Sequence, residues 1–245
     1  MKQKFLNIPI DALTMIETLE KVDSAITLNK QIHHTVVNAG KVVLMQTDKE
    51  LEKSVVEADI INADGKAIVW AANLLGLKLP ERGSGIDLME QLVMRSFEKG
   101  YKCFFFGATE EVVTKLVNIY KMQYSEDMIA GYRNGYFKKE DEDKIALQIA
   151  ESGANILFVA ITSPKKEIFL NTYKNKLTNV NFVMGVGGSF DVIAGKVKRA
   201  PLWMQNLGLE WLYRVMQEPK RMWKRYLVGN TKFIWLIIKA YLKNK

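Results

Sequence analysis

The chain has 245 residues, of which 48% are hydrophobic and 25% charged, and its net charge at pH 7 is +8. This length and composition fit a globular α/β domain with an appendage and argue against a disordered chain. A single cysteine, Cys103, excludes a disulfide framework; it lies in an apolar run, where we expect it to be buried in a protein of a reducing, cytoplasmic compartment.

Alternating strand and helix patterns predict a largely parallel, Rossmann-like α/β sheet with helices on both faces. The predicted strands are residues 4–10, 35–37, 59–62, 101–106, 128–130, 156–161 and 180–184. The predicted helices are residues 14–29, 39–58, 66–75, 87–99, 109–124, 139–151 and 165–177. A capping box from Thr14 to Glu17 opens the first helix. The first ten residues lack the apolar run of a signal peptide, so secretion is not expected.

The carboxyl ends of the predicted strands define where a ligand should bind. In open parallel sheets, ligands lie outside these ends. The rule places five features along one rim: Asn38, Asp64, Gly107, the turn Thr162-Ser163-Pro164 and the pair Gly187-Gly188.

Two polar side chains on this rim have competing interpretations. Asp64 follows a buried strand and precedes a helix, so its carboxylate could act as a general base or could cap that helix. Arg82 lies between glycines and acids in a polar loop, where it could grip phosphate or sugar hydroxyls or be a solvated surface residue.

Two turns on the rim have the features of anion sites. The turn 162–167 combines hydroxyls with Lys165 at a predicted helix start, although an ordinary surface helix start would look the same. The glycines of Gly187-Gly188-Ser189 would let a diphosphate approach the backbone. Phe190 stands where a dinucleotide fingerprint requires glycine, which argues against a nicotinamide-dependent dehydrogenase.

No convincing metal site emerges from the sequence. The acidic run 141–143 resembles the metal-binding motif of many sugar transferases, but it lies in a charged helix start that favours a solvated face. His33 and His34, the only histidines, have no cysteine or carboxylate cluster near them in sequence. We therefore expect neither a metal nor another cofactor.

The last 44 residues carry most of the charge. Residues 202–245 contain nine basic and two acidic residues, a net charge of +7, whereas residues 1–201 sum to +1. Four of the five tryptophans also lie there. Cations mixed with aromatic rings suit a lipid headgroup layer, and the apolar stretch 233–242 is too short to cross a bilayer. The sequence thus predicts a domain over 1–201 and a membrane-associating helical appendage over 202–245.

Two further expectations concern partners. An apolar side of the appendage exposed away from a membrane would favour homo-oligomers. Phosphates of any origin could meet a basic aromatic tail, so a non-catalytic nucleotide-sugar or nucleic-acid binding module is the competing interpretation, although we expect no nucleic-acid partner.

Motifs over nearly the whole chain resemble those of the WecG/TagA/CpsF glycosyltransferases. They are Asn38-Ala39, Ala63-Asp64-Gly65, Arg82-x-x-Gly85-x-Asp87, Gly107-Ala108, Pro164-Lys165-x-Glu167, the stretch 185–201, Gly208-Leu-Glu-Trp-Leu-Tyr-Arg214 and Glu218-Pro-x-Arg221. The resemblance implies an inverting, metal-independent transferase at the cytoplasmic membrane face. It also implies a UDP-sugar donor and a polyprenyl-diphosphate-linked N-acetylglucosamine acceptor, in teichoic acid or surface polysaccharide synthesis.

The same resemblance implies residue roles. Asp64 is its base, and Asn38 and Arg82 belong to its sugar pocket. The nucleotide side would be lined by Gly107, Lys165, Glu167, Gly187, Gly188, Ser189 and Asp191. The lipid diphosphate or the leaving UDP would be reached by Arg214, Arg221 and Arg225.

Two departures from the family pattern leave the donor sugar open. Val36 stands where the family often has Thr, and Lys166 stands where it often has Gln. N-acetylmannosamine is the donor sugar of the best-known members, and others use UDP-sugars such as glucose or N-acetylmannosaminuronate.

Overall fold

The computed structural model describes residues 2–79 and 84–243. It opens with an antiparallel hairpin of β1 (Lys2–Phe5) and β2 (Ile8–Asp11), so the prediction of one strand over residues 4–10 is wrong. Leu6 and Asn7 form the turn with φ values of 47° and 70°. Positive φ at both central residues suits a tight hairpin, but leucine seldom adopts it, which is why the sequence did not indicate a turn.

Among the described residues, six parallel strands form the central sheet and confirm the predicted α/β class. They are β3 (Ile32–Val37), β4 (Ile60–Ala63), β5 (Cys103–Gly107), β6 (Ile129–Arg133), β7 (Ile156–Ala160) and β8 (Phe182–Gly185). Their spatial order is β4-β3-β8-β7-β5-β6. All neighbouring pairs are parallel, so the carboxyl ends share one edge of the sheet.

Helices cover both faces of this sheet. In chain order they are α1 (Met15–Thr27), α2 (Ala39–Met45), α3 (Lys49–Val56), α4 (Lys66–Leu74), α5 (Gly85–Lys99), α6 (Glu110–Gln123), α7 (Glu142–Ala150), α8 (Lys165–Thr172), α9 (Ser189–Ile193), α10 (Leu202–Asn206), α11 (Glu210–Gln217) and α12 (Pro219–Lys243). The capping box between Thr14 and Glu17 is confirmed. The single helix predicted over 39–58 is wrong, because Asp48 caps a second helix by accepting a hydrogen bond from the Leu51 amide.

The hydrophobic core spans the predicted domain boundary at residue 201. Phe233 and Ile237 of α12 are 5% and 6% exposed and belong to one buried cluster with Phe5, Val42 and Met45. Helix α12 packs against α2 to form this contact. Part of the appendage therefore packs into the hydrophobic core. The division into a domain over 1–201 and an appendage over 202–245 stays a prediction. Cys103 is fully buried, as expected.

Candidate active site

Asn38 and Asp64 are neighbours at the carboxyl ends of β3 and β4. The preceding residues, Val37 and Ala63, are paired in the sheet, and the Asp64 amide donates a 2.8 Å hydrogen bond to the Val37 carbonyl. Asp64 is partly exposed. Gly65, not Asp64, is the N-cap residue of α4, so the interpretation of Asp64 as the helix cap is wrong. Asp64 therefore lies on the rim where open parallel sheets bind their ligands.

Asn38 has a structural task besides its expected place in a sugar pocket. Its side-chain oxygen caps α2 by accepting a 3.0 Å hydrogen bond from the Lys41 amide. This bond fixes the orientation of the amide group beside Asp64. The Lys41 side chain extends back toward β3, where its ammonium donates hydrogen bonds to the Val36 carbonyl and to Thr35 Oγ1.

Lys41 belongs to a buried cluster that we call the ion triad, formed by Lys41, Lys166 and Glu167. Lys41 Nζ lies 2.8 Å from Glu167 Oε1, and the Lys166 ammonium donates to the same oxygen. The three residues are 5%, 7% and 2% exposed. Burial raises the pKa of the Glu167 carboxyl, but the two lysines outweigh it and lower that pKa to about 2.

The ion triad joins the segments that follow β3 and β7, the two neighbours of β8 in the sheet. Lys41 follows β3, and Lys166 and Glu167 follow β7. Between them, the Lys166 side chain crosses the end of β8 so closely that a Cβ on Gly185 would lie 2.7 Å from Lys166 Cε. Glu167, expected to line the nucleotide side, is 2% exposed and buried between the two cations.

The glycine turn after β8 receives an arginine from the appendage. Gly187 has a φ of 56°, and a Cβ added to Gly188 would lie 3.2 Å from Arg214 Cζ and closer still to Nη2. Arg214 Nε is buried and has no hydrogen-bond partner within the described part of the chain. Since β3 alone separates β4 from β8, the ends of these two strands, which lead into Asp64 and into this turn, are about 10 Å apart.

Ser189 and Asp191, which follow the turn, differ in accessibility. The Ser189 hydroxyl is buried and donates a 2.8 Å hydrogen bond to the Val186 carbonyl. Asp191 is partly exposed, and its carboxylate lies 3.8 Å from Lys196 Nζ. Asp191 is therefore the more accessible of the two to a ligand.

A second part of the rim lies between β7 and β5. The chain leaves β7 toward β8 and leaves β5 toward β6, in opposite directions, which is where open α/β sheets form a crevice. Gly107 is required here, because a Cβ would lie 2.5 Å from the Ala160 carbonyl group. Beside the crevice, Lys165 Nζ lies 3.7 Å from the centre of the Phe137 ring.

Two polar side chains lie near this crevice: Ser163, in the turn that the sequence indicated as an anion site, and Arg133, which sequence reasoning missed. Arg133 ends β6, and Ser163 precedes α8. Arg133 Nε and Ser163 Oγ are both buried and lack hydrogen-bond partners among the residues described. The predicted strand stopped at residue 130, whereas β6 continues to Arg133. A strand predicted to residue 133 would have placed this arginine at a carboxyl end, where ligands are expected. Buried polar atoms without partners suit a site that a polar ligand completes.

Some expected site residues fall beyond what the structure describes. Arg82 lies outside the described residues, and so do the side chains of Arg221 and Arg225 on α12. Within the described ranges, no group of three or more histidine, cysteine or acidic side chains is arranged to hold a metal ion.

Large apolar side chains cover the outer surface of the appendage. They include Leu202, Trp203, Leu207, Met216, Leu227, Ile234, Trp235, Ile238 and Leu242, each more than half exposed. Over residues 2–79 and 84–243, no helix has both the length and the hydropathy needed to span a membrane.

A parallel sheet whose rim gathers a carboxylate, glycine turns and cations defines an α/β protein of the class that binds ligands at the carboxyl ends of its strands. The sequence profile of the glycosyl transferase WecG/TagA/CpsF family matches residues 3–245. The chain belongs to this family and is a glycosyltransferase, as the resemblance implied.

Two bacterial relatives are similar over most of their length. A protein of Bacillus spizizenii is 36% identical over 182 residues, covering 74% of this chain and 69% of the relative. One of Bacillus subtilis is 36% identical over 188 residues, covering 77% of this chain and 71% of the relative. Both are named N-acetylglucosaminyldiphosphoundecaprenol N-acetyl-beta-D-mannosaminyltransferase.

Proposed function

We propose that this enzyme transfers N-acetylmannosamine from a UDP-sugar to N-acetylglucosaminyl-diphospho-undecaprenol, in cell-wall teichoic acid or surface polysaccharide synthesis. The names of the two relatives support the sugar and the acceptor. The observation that carries the mechanism is the shared rim of Asp64, Asn38 and the Gly188–Arg214 contact.

In the proposed mechanism, Asp64 removes the proton from the acceptor hydroxyl while that oxygen attacks the anomeric carbon of the donor sugar. The bond from this carbon to the UDP oxygen breaks, UDP departs and the configuration inverts. Negative charge grows on the departing diphosphate, and fixed cations with exposed amides stabilise it best. Arg214 beside Gly188 can do so, and Lys165 supplies a second cation on the same rim, whereas the Asp191 carboxylate could only accept hydrogen bonds from the nucleotide.

We further propose that the enzyme works at the inner surface of the cell membrane, held there by the appendage. Supporting observations are the net charge of +7 over residues 202–245 and the exposed indoles of Trp203 and Trp235. Indoles and basic side chains favour the headgroup layer of an anionic bilayer.

The test is a donor screen with the purified full chain and a short-chain prenyl-diphosphate N-acetylglucosamine. UDP-N-acetylmannosamine should be used, and UDP-glucose and UDP-N-acetylmannosaminuronate should not. Asp64→Asn should lower turnover by at least about 100-fold, the lower range for a positioned proton acceptor, while calorimetry still detects UDP binding. Glu111→Gln on exposed α6 is the control. Full activity of Asp64→Asn would rule out the assigned base.

A further inference from the structure

Helix α4 presents an apolar stripe to solvent next to the proposed base. It begins at Lys66, two residues after Asp64. Trp70 and Leu74 are 59% and 54% exposed. Four residues apart, they lie on the same side of the helix. Trp70 is also the one tryptophan outside residues 202–245.

This stripe adjoins the appendage. A Cβ added to Gly208, in the turn between α10 and α11, would lie 3.6 Å from Trp70 Cη2 and 3.1 Å from Lys66 Cβ. The Lys66 ammonium also donates to the Asn206 carbonyl. Leu207, between these two contacts in sequence, is 55% exposed. Trp70, Leu74 and Leu207 are three exposed apolar side chains at or beside this contact between body and appendage, and we call them the α4 patch.

We propose that the α4 patch inserts into the interfacial layer of an anionic lipid bilayer, so that the body of the enzyme, and not the appendage alone, contacts the membrane. This inference rests on the membrane location proposed above. Charge complementarity selects a lipid surface as the occupant, because the adjoining appendage carries a net charge of +7. The patch itself supplies an indole and aliphatic groups, the side chains that enter this layer.

The position of α4 gives the contact a consequence for the reaction. Trp70 lies four residues beyond Lys66, the first residue of α4, which corresponds to about 6 Å along the helix axis, and Asp64 precedes Lys66 by two residues. With Trp70 at the headgroup level, the Asp64 carboxylate stands close above the membrane surface. A lipid-linked sugar can then reach the base while its prenyl chain stays in the bilayer.

Site-specific labelling tests the inference on the full-length enzyme. Leu74→Cys is labelled with an environment-sensitive thiol dye; the native Cys103 is fully buried, so the dye reports on position 74. Met122→Cys is the matched control, because Met122 is 81% exposed on α6, which packs at the β6 edge of the sheet, opposite β4. The probe is a vesicle of phosphatidylglycerol and phosphatidylcholine.

We expect a blue shift of the dye at position 74 on vesicle addition and none at position 122. The double substitution Trp70→Ser/Leu74→Ser should weaken vesicle affinity about tenfold, because the apolar area of these two side chains is no longer buried in the lipid. If the enzyme binds vesicles but the dye at 74 does not respond, the inference is wrong and the membrane location stands. Absence of vesicle binding overturns both. A shift without vesicles that grows with protein concentration would mean that a second copy covers the patch.

Discussion

The guanidinium of Arg214 lies beside Gly188 and occupies the space that a side chain at position 188 would need. Gly188 has a φ of −84°, which any residue adopts. The requirement for glycine here is therefore steric. It couples the glycine turn of the body to α11 of the appendage.

Gly188→Ala should displace the Arg214 guanidinium and reduce turnover by about 100-fold, the usual cost of losing one preorganised group that stabilises transition-state charge. The melting temperature should change little, since the backbone conformation suits alanine. Gly229→Ala is the control: a Cβ there has no atom within 4 Å among the residues described. Equal activity of both variants would show that Arg214 does not act in catalysis from this position.

Gln217 holds the helix that carries Arg214. Its side-chain amide accepts a 2.9 Å hydrogen bond from the Lys198 amide and donates another of 2.9 Å to the Lys198 carbonyl. Gln217 lies three residues after Arg214, on the same side of α11. The pair of bonds therefore sets how Arg214 meets Gly188.

We expect Gln217→Ala to lower kcat in the native background and to have no further effect in an Arg214→Ala background. Loss of the two bonds should lower the free energy of unfolding by about 1 to 2 kcal/mol. Met216→Ala, at an exposed neighbour on the same helix, should change neither quantity. Additive effects of the two substitutions in a double-mutant cycle would contradict the coupling.

The ion triad predicts an unusual order of stabilities. Glu167→Gln leaves Lys41 and Lys166 buried without their carboxylate and should lower the free energy of unfolding by about 3 to 5 kcal/mol. Lys166→Gln removes one cation but keeps the Lys41–Glu167 pair, so it should cost less. The double variant Glu167→Gln/Lys166→Gln should be more stable than Glu167→Gln alone. Urea unfolding measures the order; a double variant no better than Glu167→Gln would contradict it.

Two buried histidines predict a loss of stability under mildly acidic conditions. Burial lowers the pKa of both His33 and His34 to about 4. The unfolded chain takes up protons below its ordinary histidine pKa of 6.5, whereas the native state stays neutral until about pH 4. Stability from these groups is therefore present above pH 6.5 and falls as the pH drops toward 4, by about 1.4 kcal/mol per unit for each histidine.

Urea unfolding at pH 7, 6 and 5 measures this slope. His34→Gln, which retains a donor toward Asn62 Oδ1, should reduce the slope by about half. Lys30→Gln, at an exposed basic residue, should leave the slope unchanged. An identical slope in His34→Gln and the native chain would mean that His34 does not titrate on unfolding.

The sequence alone determined those structural features that depend on residues close together in the chain. Hydrophobic periodicity predicted the α/β alternation. Because the carboxyl ends of parallel strands share one edge, it also predicted that Asn38, Asp64 and the glycine turn lie on one rim. The capping box at Thr14 is a contact over three residues. Errors arose where local signals conflict with the backbone: leucine in a tight turn at position 6, and the cap at Asp48 inside an otherwise helical pattern.

Tertiary structure alone decided which distant groups meet. Lys41 and Glu167 are 126 positions apart and form an ion pair only because β3, β8 and β7 are adjacent in the sheet. Nothing near position 70 indicates its contact with Gly208, or near position 188 its contact with Arg214. Such pairs depend on strand order and helix docking, which follow from burial of the whole core and not from the spacing of residues within one segment.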